Sequence, residues 1–113
     1  MKFEMFSSNL DKLVELGVVV PDYYFLFRDE DVLTVDKLAE VFETTQSTVR
    51  RWFNPGLRHG PLKSRNPTQY SCTGRDFKEW CFNRDIGKLS KSSQFQTAAT
   101  YLKANNSSFS EIP

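Results

Sequence analysis

The amino-acid sequence predicts a mainly α-helical fold with one small β-hairpin. Segments 34–42 and 46–53 carry apolar residues at helical spacing and are separated by a three-residue polar turn. Segment 62–72 has two short strand-like runs around residues of turn composition. Two helices joined by so short a turn must cross at a steep angle and share one core. We therefore expect a helical pair followed by a hairpin.

Length, apolar content and charge exclude several classes of protein. The chain has 113 residues, which fits one domain, and 39% are hydrophobic, including ten Phe, four Tyr and two Trp. This apolar content excludes a disordered polyelectrolyte. Fifteen Lys and Arg face fourteen Asp and Glu, which gives a formal net charge of +1. A total near zero excludes a histone-like protein that binds through bulk charge.

The chain shows no sequence feature of export or membrane insertion. No apolar run reaches the roughly 18 residues of a bilayer-spanning helix, and no signal-peptide core follows Met1. We therefore expect a cytoplasmic, nucleoid-associated protein that makes no membrane contact. In that compartment Cys72 and Cys81 are expected to be reduced thiols.

The first 31 residues form an acidic segment that we expect to lie on or next to the core. A short helix is predicted over Ser8–Leu16, with Leu10, Leu13 and Val14 on its buried face. Gly17 follows at a position where helices often need a residue that tolerates positive φ.

Residues 32–86 contain the predicted helical pair. Thr34 and Thr45 are suitable N-caps for the two helices. Asn54-Pro55-Gly56 ends the second helix, since proline cannot continue it. Each helix has one apolar face: Val35, Leu38, Ala39 and Phe42 in the first, and Val49, Trp52 and Phe53 in the second.

A hairpin and a third helix complete this segment. Leu62–Ser64 and Gln69–Cys72 are the predicted strands, joined by a turn. Thr73 and Asp76 resemble a capping box that begins a helix from Gly74 to about residue 83. The buried residues of that helix are expected to be Phe77, Trp80 and Cys81.

Residues 87–113 are predicted to be a polar C-terminal tail. It is rich in Ser, Thr, Asn, Gln and Lys. A short helix over 94–103 would place Phe95, Ala98, Ala99 and Leu102 on one side. The last residues, from Asn105 onward, are expected to be frayed.

The charges are segregated along the chain. Residues 1–32 sum to −4, whereas residues 46–75 contain six Lys or Arg and no Asp or Glu. A near-neutral total thus conceals one basic segment inside an otherwise acidic to neutral chain. Such a local basic surface is typical of nucleic-acid binding.

The second helix of the pair presents an outward face suited to DNA. With its apolar residues turned inward, Ser47, Arg50, Arg51 and Asn54 face outward, with Gln46 at the flank. Arginine can pair bidentately with guanine, and Asn or Gln with adenine. The hydroxyl of Thr45 and the backbone N–H groups at the helix start can hold a phosphate.

These residues resemble a known family. The runs LTVDKLAEVF (33–42), TQSTVRRWF (45–53) and RDFKEW (75–80) look like the helix-turn-helix and following helix of excisionase-like proteins and their MerR-type winged relatives. The resemblance spans residues 32–82, under half of the chain. The sequence departs from the family at Glu43, where the turn often has glycine, and in a longer stretch between Trp52 and Trp80.

The resemblance implies a winged helix-turn-helix whose second helix enters the major groove, with the hairpin as the wing. It therefore implies sequence-specific binding of duplex DNA by a transcriptional regulator or recombination accessory factor, of the kind common in phages and mobile elements. One such domain offers limited contact area, so a homodimer or adjacent copies on DNA are expected. The acidic N-terminal segment and the C-terminal helix are the candidate pairing surfaces. The expected DNA-binding residues are Thr45, Gln46, Ser47, Arg50, Arg51, Asn54, Arg58, Lys63, Arg65 and Arg75.

An alternative is a protein-interaction module. On this hypothesis the acidic N-terminal region, including Asp29-Glu30-Asp31, binds a host or phage protein, because a winged helix does not by itself imply DNA binding. From their sequence alone these three acids are predicted to form a solvated turn. The functional alternative is an acidic surface that contacts a partner protein or shields the chain's own basic face.

An enzyme or a cofactor-dependent protein is not expected. His59, Cys72 and Cys81 have no paired metal-ligand spacing and lack a fourth ligand. His59 is the single histidine and has no nucleophile at an interpretable spacing. No glycine-rich phosphate loop is present. The sequence therefore predicts no catalytic residue, no metal and no cofactor.

Overall fold

The structure, a computed structural model, describes residues 1–54, 56, 60–66 and 68–105. Within those residues it is mainly helical, with one small antiparallel sheet, in agreement with the predicted class. The helices are α1 (Phe3–Ser8), α2 (Leu10–Glu15), α3 (Val35–Val41), α4 (Gln46–Trp52), α5 (Gly74–Leu89) and α6 (Ser93–Asn105), and the strands are β1 (Val32–Thr34) and β2 (Ser71–Thr73).

The chain divides into two units. One consists of Tyr23–Cys81, and the other of Met1–Asp22 with the chain from Phe82 onward. The first unit contains the helical pair, the sheet and the beginning of α5. The second contains α1, α2, the rest of α5 and α6, so the acidic segment 1–31 is divided between the two units.

Threonine side chains begin α3, α4 and α5, as the sequence predicts. The Oγ1 atom of Thr34 accepts from the backbone N of Lys37 at 3.1 Å. Thr45 caps α4 in the same way. At α5 the capping is reciprocal: Asp76 N donates to Thr73 Oγ1 at 3.1 Å, and Thr73 N donates to Asp76 Oδ2 at 3.2 Å. Each cap satisfies a backbone donor that the helix itself leaves free.

The turn between α3 and α4 requires an unusual backbone conformation. Glu43 has φ of 51°, in the left-handed region that favours glycine. Its neighbour Thr44 donates its backbone N–H to Ala39 O at 2.9 Å, which ends α3. The turn is therefore short and fixed, and the glycine that the resembling family often carries here has a clear physical reason.

The sheet differs from the predicted hairpin. β1 pairs with β2 in antiparallel register, with Leu33 opposite Cys72, whereas Leu62–Ser64 is not a strand. The backbone N of Leu62 donates to Trp52 O at 2.8 Å, so this part of the segment bonds to the end of α4 rather than to β2. A small sheet is present, but the partner of β2 is β1 and not residues 62–64. The predicted second strand also begins at Ser71 and not at Gln69.

An aromatic cluster forms the core of the unit Tyr23–Cys81. Phe77 of α5 lies at its centre, with ring centroids 5.7 Å from Phe27, 5.5 Å from Phe42 and 6.1 Å from Trp52. Trp80 lies 5.8 Å from Trp52. The expected burial of Phe77 and Trp80 is confirmed, and Trp52 is half-buried. This core holds α3 and α4 against α5.

The other unit is built on apolar faces of α1, α2 and α6. The rings of Phe3 and Phe6 lie against Phe82, at 5.8 and 4.9 Å. The helix predicted over Ser8–Leu16 corresponds to α2, and the preceding helix α1 is not predicted from the sequence. Leu13 is buried as expected, but Val14 is 47% exposed, so its predicted burial is wrong.

The C-terminal helix and the residues after it complete the chain. In α6 the residues Phe95, Ala98 and Leu102 are buried, which confirms the predicted face. α5 extends to Leu89, further than predicted, and passes through Gly87. The expectation of a frayed end concerns residues that lie mostly outside the described part of the chain.

Candidate nucleic-acid interface

The outward face of α4 is as the helical spacing predicts. Val49 is fully buried, and Phe53, just after the helix, is 5% exposed. The residues expected to face outward are all exposed: Gln46, Ser47, Arg50, Arg51 and Asn54. Because α4 contains no Asp or Glu, this exposed face carries two positive charges and hydrogen-bonding groups only.

Tyr70 lies beside this face and was not among the expected site residues. Its ring stacks on that of Phe53, with centroids 4.7 Å apart and planes 9° apart. Tyr70 is 45% exposed and lines a shallow depression of about 400 Å³ with Ser47, Arg50, Arg51 and Asn54. The sequence places Tyr70 only within the predicted strand Gln69–Cys72, and the contact with Phe53 reveals its place beside α4.

The loop that carries Tyr70 is fixed by its own hydrogen bonds. The Oδ1 atom of Asn66 accepts from Thr68 N at 2.9 Å and from Gln69 N at 3.2 Å. Ser64 Oγ donates to Asn66 O at 2.7 Å. The loop closes where Arg65 N donates to Ser71 O at 2.7 Å. We call the described part of residues 64–70 the Tyr70 loop.

A larger groove separates the Tyr70 loop from the beginnings of α3 and α4. It has a volume of about 660 Å³ and is lined by polar side chains that include Asp36, Gln46, Arg50 and Gln69. Arg50 borders both the groove and the smaller depression. Tyr70 also borders both, so the two hollows meet at these two side chains.

Two carboxylates from outside residues 46–75 contact side chains of that segment, which itself contains no Asp or Glu. Asp76 forms an ion pair with Arg65, and Asp36 accepts a hydrogen bond from Gln46 Nε2. The hydrogen bonds from Arg65 hold the pKa of Asp76 below its usual value, and those from Thr73 act in the same direction. Among the described bases of this segment, Arg65 is therefore paired with a carboxylate, whereas Arg50, Arg51 and Lys63 are exposed.

The other expected site residues differ in their surroundings. Lys63 is exposed, and within the described residues no ion pair is recorded for it. Arg75 is half-buried at the start of α5, where its backbone N donates to Asp29 O at 3.1 Å. Thr45 Oγ1 is committed to its cap, with Thr48 N at 3.1 Å. Arg58, like His59, lies outside the described residues.

The acidic triplet at 29–31 has an intramolecular role. The backbone O atoms of Asp29 and Asp31 accept from Arg75 N and Gly74 N at the start of α5. The side chain of Asp29 lies 2.6 Å from the buried Nζ of Lys78, and that of Asp31 accepts from Arg28 N at 2.8 Å. The triplet thus holds a turn against α5, which is more than the solvated turn considered from the sequence.

Both cysteines are buried free thiols. Burial raises the pKa of the Cys72 thiol to about 12, so it is protonated and unreactive at neutral pH. Among the residues that the structure describes, no cluster of three or more His, Cys, Asp or Glu could hold a metal ion. In the same part of the chain, no helix has the length and apolar character needed to cross a membrane.

Comparisons with protein-family models, with curated proteins and with solved structures found no match to this chain.

Proposed function

We propose that this protein binds duplex DNA sequence-specifically through the outward face of α4. The observation that carries the proposal is the convergence of Ser47, Arg50, Arg51 and Asn54 with the Tyr70 ring around one exposed depression. The face contains donors for phosphates and base edges and no acid of its own helix.

The dimensions of α4 fit the major groove. An α-helix with its side chains is about 10–12 Å in diameter, which matches the major groove of B-DNA, about 12 Å wide. The rigid turn at Glu43 fixes α4 against α3, so the exposed face is presented on a supported element. Preorganisation of this kind limits the entropy lost on binding.

The Tyr70 loop takes the place of a wing in this proposal. Together with the α3–α4 pair and α5 it supports a winged helix-turn-helix arrangement, although the described part of the loop contains neither of the strands expected from the sequence. Lys63 would supply a phosphate contact beside the loop. Arg65 is engaged with Asp76, so it holds the loop rather than reaching for DNA.

The biological role proposed is that of a regulator or recombination accessory factor. This role follows from the family resemblance of segments 33–42 and 45–53. The small contact area of one domain bears on the number of copies bound. Two copies on adjacent half-sites would supply the area that specific recognition requires. The segments expected to pair, α1–α2 and α6, lie in the unit that does not contain α4.

A matched pair of double variants tests DNA binding. Arg50→Ala with Arg51→Ala is expected to weaken duplex binding at least tenfold in a fluorescence-anisotropy titration, since two charged contacts are lost. Lys88→Ala with Lys91→Ala removes the same charge from exposed positions in the other unit and should leave binding within about twofold. Equal losses in both variants would show that binding follows bulk charge and not the α4 face.

Salt dependence distinguishes this proposal from the protein-interaction alternative. DNA binding that neutralises several phosphates weakens steeply as salt rises, with a slope of about −0.9 per phosphate on a double-logarithmic plot. A wild-type protein that retains no duplex even at low salt would favour the alternative. The intramolecular contacts of Asp29 and Asp31 leave the triplet less available to a partner than its sequence suggests.

A further inference from the structure

Three side chains at the larger groove form a hydrogen-bonded chain from α3 to α4. Gln46 Nε2 donates to Asp36 Oδ1. Arg50 Nη2 donates in turn to Gln46 Oε1 at 3.0 Å. All three side chains are exposed and line the same groove. We call Asp36, Gln46 and Arg50 the relay.

The chemistry of the two ends fixes the orientation of the Gln46 amide. A carboxylate can only accept hydrogen bonds, so the amide nitrogen must face Asp36. A guanidinium can only donate, so the amide oxygen must face Arg50. The usual ambiguity between the oxygen and nitrogen of a glutamine side chain is therefore absent here.

The relay removes Gln46 from independent base reading. A glutamine recognises adenine by presenting its nitrogen to N7 and its oxygen to the N6 amino group at once. In the relay one amide N–H and one oxygen lone pair are engaged with Asp36 and Arg50, and a base contact that rotates the amide breaks these two bonds. Gln46 is thereby converted from an adenine reader into a support for Arg50.

The relay orients the guanidinium of Arg50 and engages only part of its hydrogen-bond donors. A guanidinium has five N–H groups, and the bond to Gln46 uses one of them. The neighbouring Asp36 carboxylate repels a phosphate at this end of the groove, whereas a neutral base edge is not repelled. Guanine offers two acceptors, N7 and O6, in the major groove, which match the remaining donors of Arg50.

We infer that the relay commits Arg50 to a guanine and that Asp36 acts as a positioning residue for that contact. The inference rests on the proposed function, because it specifies which base the α4 face reads. It predicts that Asp36, Gln46 and Arg50 govern a single base pair of the binding site. Independent reading would instead link Gln46 and Arg50 to two different base pairs.

Selection of bound sequences from a random duplex library tests the inference. Five proteins are compared: the wild type, Arg50→Ala, Gln46→Ala, Asp36→Ala and Asp36→Asn. The two Asp36 variants have the same charge, but asparagine retains an oxygen that can accept from Gln46 and alanine does not. Any effect of removing a negative charge near DNA is therefore common to both.

The wild type is expected to prefer guanine at one position by about 5- to 100-fold, and Arg50→Ala should abolish that preference. Gln46→Ala and Asp36→Ala should reduce it at the same position by about threefold or more, while Asp36→Asn retains it. The inference is overturned if Gln46→Ala weakens the preference at a different base pair, or if Arg50→Ala weakens a preference for a base other than guanine. It is also overturned if Asp36→Ala keeps the wild-type preference, or if Asp36→Asn loses as much of the preference as Asp36→Ala. A wild-type protein that selects no motif overturns the proposed function itself.

Discussion

The guanidinium of Arg65 and the carboxylate of Asp76 form a two-point pair, with Nε 2.6 Å from Oδ2 and Nη2 2.8 Å from Oδ1. Asp76 also belongs to the reciprocal cap of α5 with Thr73. One carboxylate therefore ties the Tyr70 loop to the first turn of α5. The planar fork of arginine suits this geometry, which a lysine cannot reproduce.

Removing Arg65 should destabilise the fold slightly. Because the Arg65 side chain is 65% exposed, water screens the pair, and Arg65→Ala is expected to lower the free energy of unfolding only slightly. Lys63→Ala removes an equal charge from the same segment. Because Lys63 forms no ion pair with the residues that the structure describes, this variant should leave stability unchanged. Urea unfolding of the three proteins measures this difference, and identical midpoints for the two variants would contradict it.

The same pair makes stability depend on acid pH. Because its hydrogen bonds from Arg65 lower the pKa of Asp76 below the ordinary value of 3.8, the unfolded chain binds the proton first as pH falls. The stabilisation is complete above about pH 5 and is lost as pH falls through the folded-state pKa. Urea midpoints between pH 6 and pH 2.5 should therefore decline more steeply in the wild type than in Arg65→Ala. Parallel curves would show that the pair does not operate in solution.

Gly74 is required by a close approach of backbone. A Cβ atom built at this position would lie 1.9 Å from Arg28 O, and the Gly74 N–H already donates to Asp31 O at 2.8 Å. Gly74→Ala is expected to destabilise the fold by about 3 kcal/mol, because the backbone itself would have to move. The loss is measurable by urea unfolding.

Gly87 provides the matched control within the same helix. It is exposed, and a Cβ there would have no atom within 4 Å. Gly87→Ala should raise stability by about 0.5–1 kcal/mol, since alanine is the better helix former. If Gly74→Ala were as stable as Gly87→Ala, the contact between residue 74 and the 28–31 turn would not exist in solution.

Local patterns in the sequence predicted local structure well. The caps at Thr34, Thr45 and Thr73 depend on a side chain and a backbone N–H three residues apart, which a sequence displays directly. The outward face of α4 follows in the same way from helical spacing. These two features are sufficient to place Ser47 and Arg51 on an exposed surface.

Contacts between distant segments could not be read in this way. The pairing of Leu33 with Cys72 joins residues far apart in sequence, and Leu62–Ser64 had an equally strand-like composition. The places of Tyr70, Asp36 and Asp76 beside the basic stretch also depend on how remote segments meet. The count of charges along the chain therefore overestimates how positive this surface is, because Asp36 and Asp76 bring carboxylates to it.

Tyr70 is expected to contribute to DNA binding through its ring. Tyr70→Phe keeps the stack on Phe53 and should retain both stability and DNA affinity within about twofold. Tyr70→Ala removes the stacked pair and should cost about 0.5–1.5 kcal/mol of stability, together with a drop in affinity of at least threefold measured by anisotropy below the unfolding range. A DNA affinity unchanged in Tyr70→Ala would exclude the Tyr70 loop from the interface.

Contact between the α4 face and DNA can be measured directly by site-specific photo-crosslinking. Cys72 and Cys81 are buried, so a new exposed cysteine can be labelled selectively. Ser47→Cys places an aryl-azide probe on the α4 face, and Ser93→Cys places the same probe at an exposed position of the other unit. We predict that irradiation with duplex DNA crosslinks the probe at position 47 at least tenfold more than the probe at position 93. Equal crosslinking at both positions, or none at position 47 while DNA is bound, would contradict the proposed interface.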